Sequence, residues 1–203
     1  MDSEPKSTRA LRTRGRILRA ARHLLEERGY HGVGLESVAA AAGVSRQSIY
    51  VHFGSKANLL LALVAHVDEE GGLPELADAV QKAPSAVEGL HRFVDLVATL
   101  TPRVYRTAAV LDAARLDAPE AESAWIDRMT SRRRRCGQIA SRLAAEGRLA
   151  PEWPRDEAAD FLWAMTSLRV WEDLVVRRGW SAARFRRHLR RTLEHALLAE
   201  DDA

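Results

Sequence analysis

The sequence predicts an all-α fold, and three observations carry that prediction. Nearly every segment repeats its apolar residues at three- and four-residue steps, no segment alternates apolar with polar at a period of two, and glycine or proline closes the apolar runs. The 203 residues are 46% hydrophobic and 29% charged, an ordinary globular balance that excludes disorder throughout. That length holds one large domain or two small ones.

Taken in order, residues 9–28 put Ile17, Leu18, Ala21, Leu24 and Leu25 on one helical stripe and Arg12, Arg16 and Arg19 on another face, with Gly29 as the stop. From Ser55 a second strong helix carries Leu59, Leu60, Leu63, Val64 and Val67. It ends at Glu70-Gly71-Gly72-Leu73-Pro74, which reads as a loop. Pro84-Ser85 opens a helix with Leu90, Phe93, Val94 and Val97, and Thr101-Pro102 opens another with Val104, Ala108 and Leu111. Ala118-Pro119 precedes a long helix to about Gly147. Two closing helices, roughly 156–178 and 182–199, follow the two-proline stretch Gly147 to Pro154 and join at Gly179-Trp180-Ser181. Residues 1–8 are expected to be a disordered tail and 200–203 to fray.

The helix at 156–178 is apolar on two faces. Phe161, Met165, Leu168 and Val175 form one stripe, and Trp163, Val170 and Leu174 another. A helix of this kind must bury both sides, one in its own core and one against a second copy. The last helix adds Phe185, Leu189, Leu193 and Leu197 at four-residue steps. The expected dimer interface is therefore Phe161, Met165, Leu168, Val175, Phe185, Leu189 and Leu193; the alternative is that this pair of helices closes the core of one chain.

Charge divides unevenly. Residues 1–62 hold ten Lys+Arg against five Asp+Glu, whereas residues 63–203 hold 21 against 23. The basic excess belongs to the N-terminal third and invites an anionic partner for that part alone. No apolar run approaches the roughly 20 residues that a membrane-spanning helix needs, and no apolar segment stands behind Met1–Pro5 to act as a secretory signal. The single cysteine, Cys136, suits a reducing cytoplasm.

The most specific segment is Val38-Ala39-Ala40-Ala41-Ala42-Gly43-Val44-Ser45-Arg46-Gln47-Ser48-Ile49-Tyr50-Val51-His52-Phe53. A helix-turn-helix needs a small residue where its helices cross, here Ala39, and a glycine in the turn, here Gly43. Val38, Ala42, Val44 and Ile49 fall where the two helices face each other. Ser45 is placed to cap the second helix, and its hydroxyl is also a possible phosphate donor. The polar residues Arg46, Gln47 and Ser48 lie at the end of that helix which approaches base edges in a major groove, where Arg grips guanine and Gln adenine.

With these residues, and with Ser55-Lys56 and Leu59-Leu60 opening the next helix, residues 14–64 resemble the DNA-binding domain of the tetracycline-repressor (TetR) family of bacterial transcriptional regulators. The segment Val170-Trp171 to Trp180-Ser181 is similar, less specifically, to the last two helices of many members. The resemblance implies a three-helix DNA-binding head over residues 9–62 and a helical ligand-binding and dimerisation body over 63–203, bound to a palindromic operator. It further implies that Tyr50, His52 and Lys56 contact backbone phosphate. Two departures bear on affinity. Val33-Gly34-Leu35 lacks the threonine that commonly caps the second helix and touches phosphate, and Glu36 stands where several members place a polar or basic DNA contact. A carboxylate there reads cytosine or merely favours a helix N-terminus.

Nothing in the chain spells a catalytic motif: there is no G-x-S-x-G, no phosphate-binding glycine loop and no H-E-x-x-H, so neither enzyme, cofactor nor metal is expected. Cys136 beside Arg132–Arg135 reads as a small core residue, with a redox thiol as the alternative. The arginine run reads as a solvated or ion-paired face, with an anionic effector or DNA as the alternative. Phe93, Trp125, Met129, Trp163 and Trp171 are the candidates for lining an effector cavity. The function these readings converge on is a cytoplasmic homodimeric repressor, released from double-stranded DNA by a small molecule and not associated with a membrane. The competing reading is a helical enzyme or carrier whose basic N-terminal hairpin is structural.

Overall fold

The structure, a computed structural model, describes residues 6–199; the expected tail at 1–5 and the fraying at 200–203 lie outside the described residues. Among the described residues the chain forms α1 (Lys6–Arg28), α2 (Leu35–Ala42), α3 (Arg46–Phe53), α4 (Lys56–Glu70), α5 (Leu73–Gln81), α6 (Ala86–Ala114), α7 (Pro119–Ala145), α8 (Arg155–Met165), α9 (Leu168–Trp171), a π-helical turn (Glu172–Arg177) and α10 (Ala182–Leu197). There is no strand among them, only an isolated bridge between Leu149 and Leu198. It lies beside the main-chain bonds from Ala150 N–H to the Leu197 carbonyl (2.9 Å) and from Ala199 N–H to the Arg148 carbonyl (3.0 Å).

Four expectations are corrected. First, α1 begins at Lys6, so residues 6–8 are helical rather than tail. Second, the expected loop after Glu70 is only a turn, because Gly72 adopts a left-handed backbone (φ 83°) and Leu73-Pro74 open α5. Proline in a first turn forfeits no intrahelical bond, so a residue that looked like a breaker is a start signal.

Third, Pro102 does not open a new helix; it lies inside the 29-residue α6. The buried face of Leu90, Phe93, Val94, Val97, Leu100, Val104 and Leu111 runs past it without changing period. Burying that face outweighs the roughly 3 kcal/mol that an interior proline costs. Fourth, the expected helix at 156–178 is broken. Thr166 ends α8, Ser167 caps α9 by accepting from Val170 N–H (3.4 Å), and a π turn follows in which Arg178 N–H reaches the Asp173 carbonyl (3.0 Å). The extra residue of that turn shifts every later side chain around the axis, so the stripe drawn through Phe161 to Val175 is not one straight face.

The chain packs as two units. One holds the described residues up to Val67 together with Arg106–Asp127, and the other holds Asp68–Tyr105 with the residues from Arg128 onward. Within the first, α1 supplies the buried stripe Ile17, Leu18, Ala21, Leu24 and Leu25. Residues 106–127, expected in the body, join this unit through polar ties. Thr107 donates to Glu26 at 2.5 Å, Arg106 to the Glu26 carbonyl at 3.4 Å, and Tyr30 to Glu120 at 3.4 Å. Burial pulls the Glu26 carboxyl up, but the hydrogen bonds from Thr107 and Arg22 outweigh it and leave the group below its usual range. Burial, then the Glu120 carboxylate, pushes the Tyr30 phenol up to about 12.

In the second unit the core is built by α6, α7, α8 and α10. Phe185, Leu189, Leu193 and Leu197 are all buried within the single chain, with Phe185 edge-on to Trp171 at 5.0 Å. This corrects the assignment of Phe185, Leu189 and Leu193 to a dimer interface: side chains consumed by their own core have no surface left for a second copy. Phe161, Met165, Leu168 and Val175 remain half-buried.

Cys136 is fully buried, and that burial, only partly offset by Arg132, pushes its thiol from 9.0 up to about 11. The neighbouring arginines do not make it a reactive thiolate. A disulfide-exchange reagent at pH 8 should leave native protein unlabelled and modify one thiol per chain once urea unfolds it; rapid labelling of native protein would contradict the burial. Because the folded state holds the proton more tightly than the unfolded chain, the contribution is complete below pH 9 and is lost as pH rises toward 11. Urea titrations should show the stability advantage of wild type over Cys136→Ala narrowing across that window.

Candidate nucleic-acid interface

The interface is built around one turn. Gly43 closes α2 with a left-handed backbone (φ 62°, ψ 42°), its N–H donates to the Ala40 carbonyl (3.1 Å), and Val44 N–H donates to that of Ala39 (3.0 Å). A residue with a Cβ is strained in that conformation, so glycine sets the angle at which the chain leaves α2. Ser45 then caps α3, its Oγ accepting from Ser48 N–H at 3.2 Å and lying 3.0 Å from Ser48 Oγ. At the other end, Gly54 N–H closes on the Tyr50 carbonyl (2.8 Å).

The missing threonine cap of α2 is compensated locally. Gly34 is the cap residue, and the Ser37 hydroxyl accepts from Gly34 N–H (3.2 Å) while donating to the Gly34 carbonyl (2.7 Å).

Buried Ile49 and Phe53, one turn apart, fix which side of α3 faces inward. Two further four-residue pairs are exposed, Gln47 with Val51 on the opposite side and Arg46 with Tyr50 at the flank; Val51 is 77% exposed, unusual for an isolated valine on so short a helix. Sequence reasoning assigned Val51 no role. It also missed Arg14, which stacks over the Phe53 ring (4.6 Å) and donates to the His52 carbonyl (3.2 Å). The guanidinium thereby satisfies an orphan carbonyl and places positive charge at the negative end of α3. Nothing local in the sequence marks that contact, which joins residues 38 positions apart.

Electrostatics distinguish the two outward pairs. Arg46 is held by the Glu36 carboxylate at 2.6 Å and donates to Tyr50 Oη at 3.3 Å, with its guanidinium 5.7 Å from the Tyr50 ring. The Tyr50 contact and then Glu36 raise its already high pKa. The departure at Glu36 is thus an intramolecular partner for the arginine expected to read bases. His52 is half-buried with its ring tilted beside Phe53, and Lys56, the first residue of α4, holds its ammonium 4.0 Å above the Tyr30 ring. A cation so placed is oriented while still presenting its donors.

The five effector candidates do not gather. Phe93 lines a cleft of about 570 Å³ formed by α5, α6 and α7. Trp163 lies under the Arg132 guanidinium (4.5 Å), Trp171 packs on Phe185, Trp125 sits beside Arg115 (5.6 Å) and Met129 is half-buried on α7. Among the described residues no three His, Cys, Asp or Glu side chains cluster as a metal site, and no single helix is long and apolar enough to cross a membrane.

Residues 17–63 match the family described as bacterial regulatory proteins, tetR family. The chain is 38% identical over 88 residues to the HTH-type transcriptional activator FasR of Mycolicibacterium smegmatis, a match that covers 40% of each chain. It is 38% identical over 79 residues to the HTH-type transcriptional repressor AcnR of Corynebacterium glutamicum, covering 36% of this chain and 42% of AcnR. The chain therefore matches less than half the length of these curated relatives. Two solved structures extend the likeness in fold to nearly the whole chain. A transcriptional regulator from Saccharomonospora viridis, solved in complex with choline, superposes with a TM-score of 0.74 at 24% identity, covering 93% of this chain and 99% of that one. NalD of Pseudomonas aeruginosa, a repressor of the MexAB-OprM efflux pump, gives 0.74 at 23% identity, covering 96% and 100%. Residues 17–63, with the helix-turn-helix geometry of α2 and α3, thus match the tetR family of bacterial regulatory proteins, and the chain as a whole has the fold of solved transcriptional regulators.

Proposed function

We propose that this chain is a sequence-specific DNA-binding transcriptional regulator of the cytoplasm, a homodimeric repressor that a small molecule releases from a palindromic operator. The observation that carries the reading is the surface of α3, where Arg46, Gln47, Tyr50 and Val51 stand exposed while Ile49 and Phe53 are buried. In a major groove, Gln47 faces adenine, Val51 offers its methyls to thymine, and Arg46 reaches guanine once Glu36 lets go. Tyr50, His52, Lys56 and the Ser45–Ser48 hydroxyl pair serve the phosphates.

One eight-residue helix reads too few base pairs for a genome, so a second copy on the adjacent half-site, about 34–36 Å along the duplex, supplies the rest. The half-buried residues Phe161, Met165, Leu168 and Val175, with Val176 at 52% exposure, are the surface proposed for pairing. Release follows from an effector that binds one conformation of the dimer better than another, and only to the extent of that difference. The repressor assignment is the finer step, since the relatives include a named activator beside a named repressor.

Selection from random duplex DNA should return a palindrome, and gel shifts against it test the residues. Lys56→Ala should weaken binding equally on all sequences and reduce the salt slope by about one counterion. Gln47→Ala should instead relax preference at one base pair by about 1–3 kcal/mol. Failure to bind any palindrome at low salt would overturn the regulator reading. Glu36→Gln frees Arg46 and removes a negative charge from the DNA-facing side, so it should tighten binding by up to about fivefold, less at high salt. An unchanged or weakened shift would mean that the carboxylate itself reads DNA. Sedimentation at micromolar concentration should give twice the 22.6 kDa chain mass, and a species that stays at one chain would exclude the dimer.

A further inference from the structure

The cleft formed by α5, α6 and α7 has a two-sided chemistry. Its floor is apolar, with Val80, Phe93, Leu96 and Ile139, and its wall carries Arg134, Arg135 and Arg142 with no acidic side chain. These arginines are not equivalent. Arg142 is spent on the protein: it pairs with Glu146 (3.0 Å) and donates to the Ala83 carbonyl (2.6 Å). Arg134 has only the Ser131 hydroxyl, at 3.2 Å. Arg135 is half-buried and makes no hydrogen bond or ion pair among the described residues. Burial, and then the charge of Arg134, push its pKa down, the mark of a cation short of compensation.

Elsewhere on α7 the same residue type is matched. Arg128 pairs with Asp68, and Arg133 with Asp160 (2.7 Å). Arg132 also lacks a carboxylate, but it is turned away from the cleft onto the Trp163 ring (4.5 Å) and carbonyl (2.7 Å), so the guanidinium groups short of one at the cleft are Arg134 and Arg135. Desolvated cations are found paired, and a partly buried guanidinium without a carboxylate has room for one. A bare inorganic anion would satisfy it but leave the apolar floor in contact with water. A neutral hydrocarbon would cover the floor and leave Arg135 unpaired. A quaternary ammonium, such as the choline bound by the Saccharomonospora viridis regulator, would meet like charge.

We infer that this cleft binds an organic carboxylate with an apolar body, its acid group on Arg135 and Arg134 and its hydrocarbon over Phe93, Val80 and Ile139. The volume of about 570 Å³ lies within the range of small-molecule sites. The inference deepens the effector half of the proposed function and rests on it, since the occupant is taken to be the molecule that shifts DNA binding.

The test is calorimetric titration of the whole chain with probes that share a tail and differ in head: decanoate, decanol and decyltrimethylammonium, with inorganic phosphate as the bare anion. Decanoate should bind at least about tenfold more tightly than decanol, the value of a charge-assisted hydrogen bond. The ammonium and phosphate should give no binding. Arg135→Gln should lower decanoate to the level of decanol and leave decanol unchanged. No decanoate binding at millimolar concentration, equal binding of decanol or phosphate, or an Arg135→Gln variant that keeps the preference would each overturn the inference. The comparison among probes on the unaltered chain decides the question even if the variant misfolds. Gel shifts on the same preparation separate the two readings. DNA binding without decanoate binding overturns the carboxylate cleft alone, whereas decanoate binding by a chain that takes up no operator overturns the regulator reading and leaves the cleft chemistry standing.

Discussion

The left-handed backbone of Gly43 is the constraint on which the interface depends. α2 and α3 are only eight residues each, too short to persist without packing. What holds α3 is that the turn sends it off at an angle that buries Ile49 and Phe53. Once those two are inside, helical geometry leaves Gln47 and Val51 outside, with Tyr50 at their flank, and Arg46 is exposed because it stands at the open start of the helix. The serine cap and the Arg14 contact fasten the two ends of a helix whose direction the glycine has already set.

Charge is handled differently in the two units. In the first, the exposed Arg46 is paired with a carboxylate ten residues earlier in the chain. Such an exposed pair adds little to stability, and under the proposed function it is a competitor that DNA must displace. In the second, arginines on α7 are partly desolvated, and some of them have carboxylates while Arg134 and Arg135 at the cleft do not. The same residue type thus serves as a displaceable surface group in one place and as an unbalanced buried charge in another.

Much of this was legible in the sequence where apolar periodicity and local backbone chemistry act alone. The α1 stripe, the Gly43 turn, the Ser45 cap and the Gly29 stop are decided by residues within one or two turns of each other. The errors fall where two local signals compete. Pro102 and Pro74 are both prolines preceded by a helix-compatible residue, yet one sits inside α6 and the other opens α5; the difference lies in how much apolar surface continues on either side. The break at Thr166-Ser167 and the π turn after Trp171 gave no periodic warning, because a run apolar on two faces fits more than one register.

The sequence by itself determined the all-helical class, the helix-turn-helix and the polar residues that open α3, since these follow from dihedral preference and from the 3.6-residue repeat. Only the tertiary structure decided which apolar faces the chain consumes and which charges it leaves unpaired. Phe185, Leu189 and Leu193 looked available to a second copy until their own core was seen to close over them. Arg135 and Arg133 are two residues apart in one arginine run, and only the position of Asp160 separates the compensated cation from the uncompensated one. Burial and ion pairing depend on segments far apart in the chain, and periodicity, which reports one helix at a time, carries no information about what packs against it.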